Sequence, residues 1–274
     1  MRKSYLYRSI LYLSGLLILS LGLTLNTKTG LGVSPIISVS YSISTIFHQN
    51  FGNMTFILYG IFVITEMILH TIRNRRYAHN AGTVLAHASR TNQRLTLLMD
   101  VLQLPLSLVI TRLLNLFNDI LPDFPSSSES FSVAELAIRI IFLCLAIILT
   151  GIGAALSLNM RLVPNPGDGI VQAIADCIHK SVGFTKNCFD LFCIAVTVVI
   201  GFLFSGHIVG IGLGTLLAML GVGRVIALFN HIFTRRYHGI GQAKEVWGNS
   251  SFQAFRLFKK IDKIKNSGQS IRSL

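Results

Sequence analysis

Apolar residues run along this chain in six stretches of about twenty, separated by charged or by Gly- and Pro-containing segments: approximately Tyr7–Leu25, Phe51–Leu69, Leu95–Phe117, Ile138–Leu158, Thr185–Leu203 and Ile208–Phe229. A helix rises about 1.5 Å per residue and the hydrocarbon core of a bilayer is about 30 Å thick, so about 20 mainly apolar residues suffice to cross it. The pattern therefore predicts an all-α, polytopic membrane helix bundle. Its third stretch is the weakest, because Asp100, Gln103, Pro105 and Arg112 interrupt it, and a surface or re-entrant segment is the alternative there. The first stretch follows Met1-Arg2-Lys3 as a signal peptide would, but it is long and no small-residue cleavage site follows it, so it reads as a retained span.

Flanking charge orients these spans, since Lys and Arg in short loops stay on the cytoplasmic side. Arg2, Lys3 and Arg8 precede the first span, and Arg73, Arg75, Arg76, Arg90 and Arg94 follow the second without an acidic residue between them. After the sixth come nine more cations between Arg235 and Arg272. The segment after the third span, Asp119 to Glu129, is acidic, rich in Pro and Ser, and free of Lys and Arg. Six spans with both termini inside put every segment on its expected side. Five would export the basic tail. The expected organisation is a six-span domain over 1–233 followed by a basic cytoplasmic tail over 234–274.

Composition agrees. The chain of 274 residues is 51% hydrophobic and 13% charged, too apolar for a soluble domain. Its net charge of +13 is read as loops and tail facing anionic lipid headgroups, because no nucleic-acid motif accompanies it. In the tail, Ala254, Leu257, Phe258, Ile261 and Ile264 recur at helical spacing among cations, as in a basic helix on the inner leaflet. An ordinary solvated tail is the alternative.

An internal repeat appears when the chain is shifted by 131 residues. Leu21-Gly22 then falls on Ile152-Gly153, Gly32-Val-Ser-Pro35 on Val163-Pro-Asn-Pro166, and Phe51-Gly52 on Val182-Gly183. Each half reads as a span, a Pro loop, a short amphipathic or re-entrant helix, a Gly turn and a further span, giving repeats over about 7–117 and 133–233. Three spans per half is an odd number, so the second copy must be inverted. Inverted, interrupted segments are how many secondary transporters build a central site, although Pro and Gly at helix ends also serve simply as turns.

The motifs Leu31-Gly-Val-Ser-Pro35, Asn165-Pro-Gly-Asp-Gly169, Val182-Gly-Phe-Thr185 and Val209-Gly-Ile-Gly212 resemble the YczE/YyaS/YitT group of bacterial integral membrane proteins over roughly residues 10–232. The resemblance implies a multi-pass protein of the bacterial cytoplasmic membrane, with residues 34, 35 and 165 to 169 as family-like loops. It implies no substrate. The basic insert Thr71–Arg94 departs from it.

Ionisable residues inside spans are costly unless paired, which makes them site candidates. Asp100, Asp190 and Arg224 enter from the same expected side to similar depth, with Gln103 one turn beyond Asp100, and predict an interior cluster that serves either as a structural ion pair or as an anion or proton-coupled site. Glu66 and Arg139 lie nearer span ends and read as snorkelling. Along the inner short helix, Asp168, Gln172, Asp176 and Lys180 form one polar stripe, with Asp168 placed to cap the helix. Ser34, Pro35, Asn165, Pro166, Asp168 and Gln172 join Asp100, Gln103, Asp190 and Arg224 as candidate solute contacts.

No catalytic, cofactor or metal site is expected. The four cysteines lack metal-ligand spacing, His70, His79 and His87 lack HExxH spacing and read as surface residues, and Gly210-Ile-Gly-Leu-Gly214 lies in an apolar helix rather than a phosphate loop. A secondary transporter or exporter of a small solute is favoured. A membrane chaperone or regulator docking a partner through the basic segments is the alternative, and a homo-oligomer is compatible with either.

Overall fold

The computed structural model describes residues 2–80, 83–122, 133–160 and 163–237. Among these there are eight helices and no strand: α1 (Arg2–Lys28), α2 (Pro35–Ile46), α3 (Phe51–Asn80), α4 (Thr83–Ile120), α5 (Val133–Met160), α6 (Pro166–Ile178), α7 (Val182–Ser205) and α8 (Leu213–Tyr237). All but α2 and α6 are long and apolar enough to cross a membrane. The predicted class, a polytopic helix bundle, is the observed one. The amphipathic portion of the tail lies outside the described residues.

Helix ends follow the local sequence. Pro35 and Pro166 occupy the first turns of α2 and α6 behind Ser34 and Asn165, where a missing N–H costs nothing and a fixed φ favours the helix. His179, at φ 55°, closes α6, and Gly206, at φ 72°, closes α7. Two expectations change here. The basic segment after the second span is largely helical, because α3 runs to Asn80 and α4 starts at Thr83. The sixth span begins later than the apolar run, since Gly210 turns the chain with φ 81° and α8 starts only at Leu213.

That turn has a partner. Val33 N–H donates to the Gly210 carbonyl at 2.9 Å and Gly214 N–H donates to the Leu31 carbonyl at 2.7 Å. The loop before α2 and the loop before α8 are therefore joined by backbone bonds, which satisfies groups that a buried loop would otherwise leave unpaired.

Packing is led by α1 against α5. A β-carbon on Gly22 would sit 2.5 Å from the Thr150 backbone nitrogen, and one on Gly153 would overlap the backbone of Leu19. Small residues here bring two backbones together, as is common between membrane helices. Around this pair, α2 packs on α7 and α3, and α6 packs on α3 and α7. The main core joins Tyr12, Leu16, Leu19 and Leu23 of α1 to Ile37 of α2, Tyr59 and Phe62 of α3, Ile110 and Leu114 of α4, Ala154 of α5 and Ile170 of α6. A second core sets Leu143 and Ile147 of α5 against Ala218 and Val222 of α8.

The serines of α2 alternate along the chain, a period that by itself would suit a strand, yet the segment is helical. Ser38, Ser40 and Ser44 each donate to the carbonyl three residues back. Ser38 also bonds Thr197 of α7 at 2.7 Å and Ser40 bonds Thr55 of α3 at 3.0 Å. Hydroxyls that return to their own helix can be buried on either side of it.

Large apolar side chains remain exposed along the outer faces, including Ile57, Ile61, Ile64 and Ile68 of α3 and Phe192, Val199 and Phe202 of α7. A soluble protein rarely shows such continuous stripes, and lipid contact accounts for them. The chain forms two compact units, Met1–Ala227 and Leu228–Leu274. Within the second, the described residues continue as helix to Tyr237. Every site below lies in the first.

Candidate functional site

Residues from both short helices meet at one cavity. Its walls include Ser34, Ile36 and Ile37 at the start of α2, Asn165 and Asp168 at the start of α6, Tyr59 of α3, Thr150 of α5 and Lys186 of α7. The space open to the centre of a water molecule is about 40 Å³, enough for roughly three waters at 10–15 Å³ each. Neither Ser34 nor Asn165 uses its side chain to cap its helix. The Asn165 Oδ1 and Thr150 Oγ1 atoms are buried without a hydrogen-bond partner.

Charge on this cavity is of both signs. Lys186 Nζ is 3.3 Å from Asp190 Oδ2 one turn further along α7, and Asp190 is buried. Asp168 sits on the other wall, where withdrawal from water pushes its carboxyl up from the ordinary range while Lys186 opposes that shift. Pro166 opens the helix and Asn165 is its N-cap, so Asp168 is the third helical residue rather than the cap expected from sequence.

A second polar group lies between α3, α4 and α6. His70 Nδ1 is 2.8 Å from Asp100 Oδ2, and Gln103 Nε2 donates to Glu66 Oε2 at 3.0 Å. Glu66 is 3% exposed, His70 7%, Asp100 2% and Gln103 0%. One donor atom from each of Glu66, His70 and Asp100 lies within 4.8 Å of the others. The group owes its space to Gly169 of α6, where a β-carbon would sit 2.6 and 3.0 Å from the two Glu66 carboxylate oxygens and 3.1 Å from Gln103 Oε1. On the same helix, Cys177 Sγ–H points to the Leu69 carbonyl at 3.7 Å.

Several sequence-based expectations are rearranged. Asp100 and Asp190 do not share a partner: the first meets His70 of α3 and the second Lys186 of α7. Arg224 is exposed, and among the described residues no ion pair joins it to either carboxylate. Similar depth on three helices does not imply the same face, and only the helix rotations decide that. Glu66 and Arg139, read as snorkelling, are both buried. Arg139 donates to the Thr29 carbonyl at 2.9 Å and to Glu135 at 3.0 Å.

His70, read as a surface residue, is buried instead, because α3 continues past the apolar run and carries it inward. The signal was present in the spacing of Glu66 and His70, four apart, and of Asp100 and Gln103, three apart, which puts each pair on one helix face. His79 and His87 fall outside the residues whose side chains are described. Gln172 and Asp176 are exposed on α6, Asp176 pairing with Arg73, while Lys180 lies beyond the helix end and so does not extend its stripe.

Residues 6–231 match a family defined only as being of unknown function, DUF6198. The chain belongs to that family. A protein of Haemophilus influenzae, described only as uncharacterised, is 32% identical over 100 residues, which is 36% of this chain and 43% of that one. The matched region thus spans less than half the length of that relative. No solved structure matches. The likeness to the YczE/YyaS/YitT group rests on the short motifs alone.

Proposed function

We propose that this DUF6198 protein is a secondary transporter of a small, anionic or carboxylate-bearing solute, with both termini in the cytoplasm and its two halves arranged as inverted repeats. The observation that carries this reading is the cavity that the N-terminal turns of α2 and α6 both line. A helix N-terminus presents unpaired N–H groups and a partial positive charge, so two of them at one cavity favour a negatively charged guest. Lys186, already paired with Asp190, offers its ammonium group from the same wall, while the unpartnered Thr150 Oγ1 can donate to a solute oxygen and Asn165 Oδ1 can accept from a solute hydroxyl or N–H.

The repeat reading is supported by reciprocal packing. The starts of α6 and α7 each lie 131 residues after those of α2 and α3 (35 to 166, 51 to 182), and each short helix packs against the second span of the opposite half. Exchange of partners between halves is what a two-fold relation produces. With an odd number of spans per half, that axis lies in the membrane plane, and alternating access follows from rocking one half against the other.

The decisive measurement is solute-driven current across proteoliposomes containing the purified protein, with monocarboxylates and inorganic anions offered in turn. A current from wild type that Asn165→Leu abolishes supports the reading. Silence under every gradient, together with a stoichiometric partner protein retained through purification, overturns it and assigns the chain a scaffold or chaperone role.

A further inference from the structure

We propose that Glu66, His70 and Asp100, with Gln103 as a fourth donor, form a binding site for one divalent first-row transition-metal ion, separate from the cavity between α2 and α6. The proposal is independent of transport.

The donors are preassembled. Glu66 and His70 are one turn apart on α3, and Asp100 and Gln103 are one turn apart on α4, so two rigid helices each present a pair of ligands toward the other. The two carboxylates and the imidazole bring donor atoms within 4.8 Å of one another. An ion with bonds of about 2.0–2.2 Å holds adjacent donors about 3 Å apart and opposite ones at most about 4.4 Å apart, so the widest of these separations has to close by no more than a few tenths of an ångström for all three to reach one ion. His70 Nδ1 and Asp100 Oδ2 are hydrogen-bonded at 2.8 Å, a separation close to that of adjacent ligands on one ion.

Gln103 supplies an independent sign that something is bound. It is fully buried, its amide nitrogen is used by Glu66, and its Oε1 has no hydrogen-bond partner. That oxygen and both Glu66 oxygens lie within 3.1 Å of the point left open by the missing Gly169 side chain. A buried amide oxygen without a donor loses its hydration without compensation. Coordination to a cation removes that deficit.

Charge points the same way. Glu66 and Asp100 together bring two carboxylates into a buried space, and the nearest arginine along α3, Arg73, is paired with Asp176 instead. A dication neutralises both, and the imidazole of His70 binds it through whichever ring nitrogen carries no proton. Three oxygens and one imidazole nitrogen select manganese, iron, cobalt or zinc over magnesium or calcium, which favour oxygen alone.

The test titrates full-length protein in detergent with Co²⁺, whose visible absorption reports an ordered ligand set, alongside thermal melts. Wild type should take up one Co²⁺ per chain, displaced by Zn²⁺, with a rise in Tm as expected when a ligand binds only the folded state. Glu66→Gln and Asp100→Asn preserve side-chain shape and so preserve packing; each should weaken uptake by at least about tenfold and lose the Tm rise. Asp176→Asn, on the exposed face of α6, should bind as wild type does. Absence of Co²⁺ uptake by wild type, or uptake that survives both Glu66→Gln and Asp100→Asn, overturns the site.

Discussion

Ser34 and Asn165, 131 residues apart, each stand one residue before the proline that opens a short helix, and both line the same cavity. Their helices belong to different halves of the chain. Whatever enters the cavity meets the beginning of α2 and the beginning of α6 together.

Pro35→Ala and Pro166→Ala test that relationship. Each restores a backbone N–H at a helix start and loosens φ, a change expected to cost no more than about 1 kcal/mol of stability. Solute-driven current should fall several-fold in both variants while yield and Tm stay near wild type. Unaltered current in both would detach the two loops from transport.

Two glycines separate a structural contact from a local one. Gly22→Ala drives a methyl group to 2.5 Å from the Thr150 backbone nitrogen, which cannot move without shifting α5. Overpacking of that kind costs about 1–3 kcal/mol or more, so a marked fall in Tm is expected. At Gly169 the three atoms nearest an added β-carbon are instead the ends of the Glu66 and Gln103 side chains, which can turn aside where a backbone cannot. The Tm of Gly169→Ala should change little, and its Co²⁺ uptake should fall steeply.

Removing Arg139 strands its neighbours. Arg139→Leu leaves the buried Thr29 carbonyl and the partly exposed Glu135 carboxylate without their donor, and a buried acceptor left unsatisfied costs about 1–3 kcal/mol. Glu135→Gln keeps a hydrogen-bond acceptor beside the guanidinium and should cost about 1 kcal/mol. Thermal melts in one detergent should rank wild type, Glu135→Gln and Arg139→Leu in that order.

Orientation is tested by reporter fusions. Those ending after Asn80 and after Arg236 should read cytoplasmic, and one after Ser127 should read external. An external signal at Arg236 would remove the inverted arrangement of the halves, since the spans per half would no longer be odd.

The class of fold was legible because lipid imposes a blunt rule: apolar runs of sufficient length are helices, and six runs became six long helices. Even the two short helices were legible, through the repeated proline, despite the strand-like alternation of serines in α2. Side-chain partners were not. Hydropathy locates a residue along the membrane normal, and on that basis Asp100, Asp190 and Arg224 are expected at one depth. Partnership depends on rotation about each helix axis, which sets Asp100 toward α3 and leaves Arg224 exposed. Glu66 and His70 were misread for a related reason, since the end of an apolar run was taken as the end of a buried helix, whereas α3 stays packed for another turn.

The contact of α1 with α5 has a mechanical consequence. Where Gly22 and Gly153 let one backbone lie on the other, there are no side chains to swap rotamers and absorb a displacement. Sliding one helix along the other would press backbone on backbone there, so the two hold their register, and a change of shape is taken up instead at side-chain contacts such as the Phe62–Phe189 ring pair between α3 and α7.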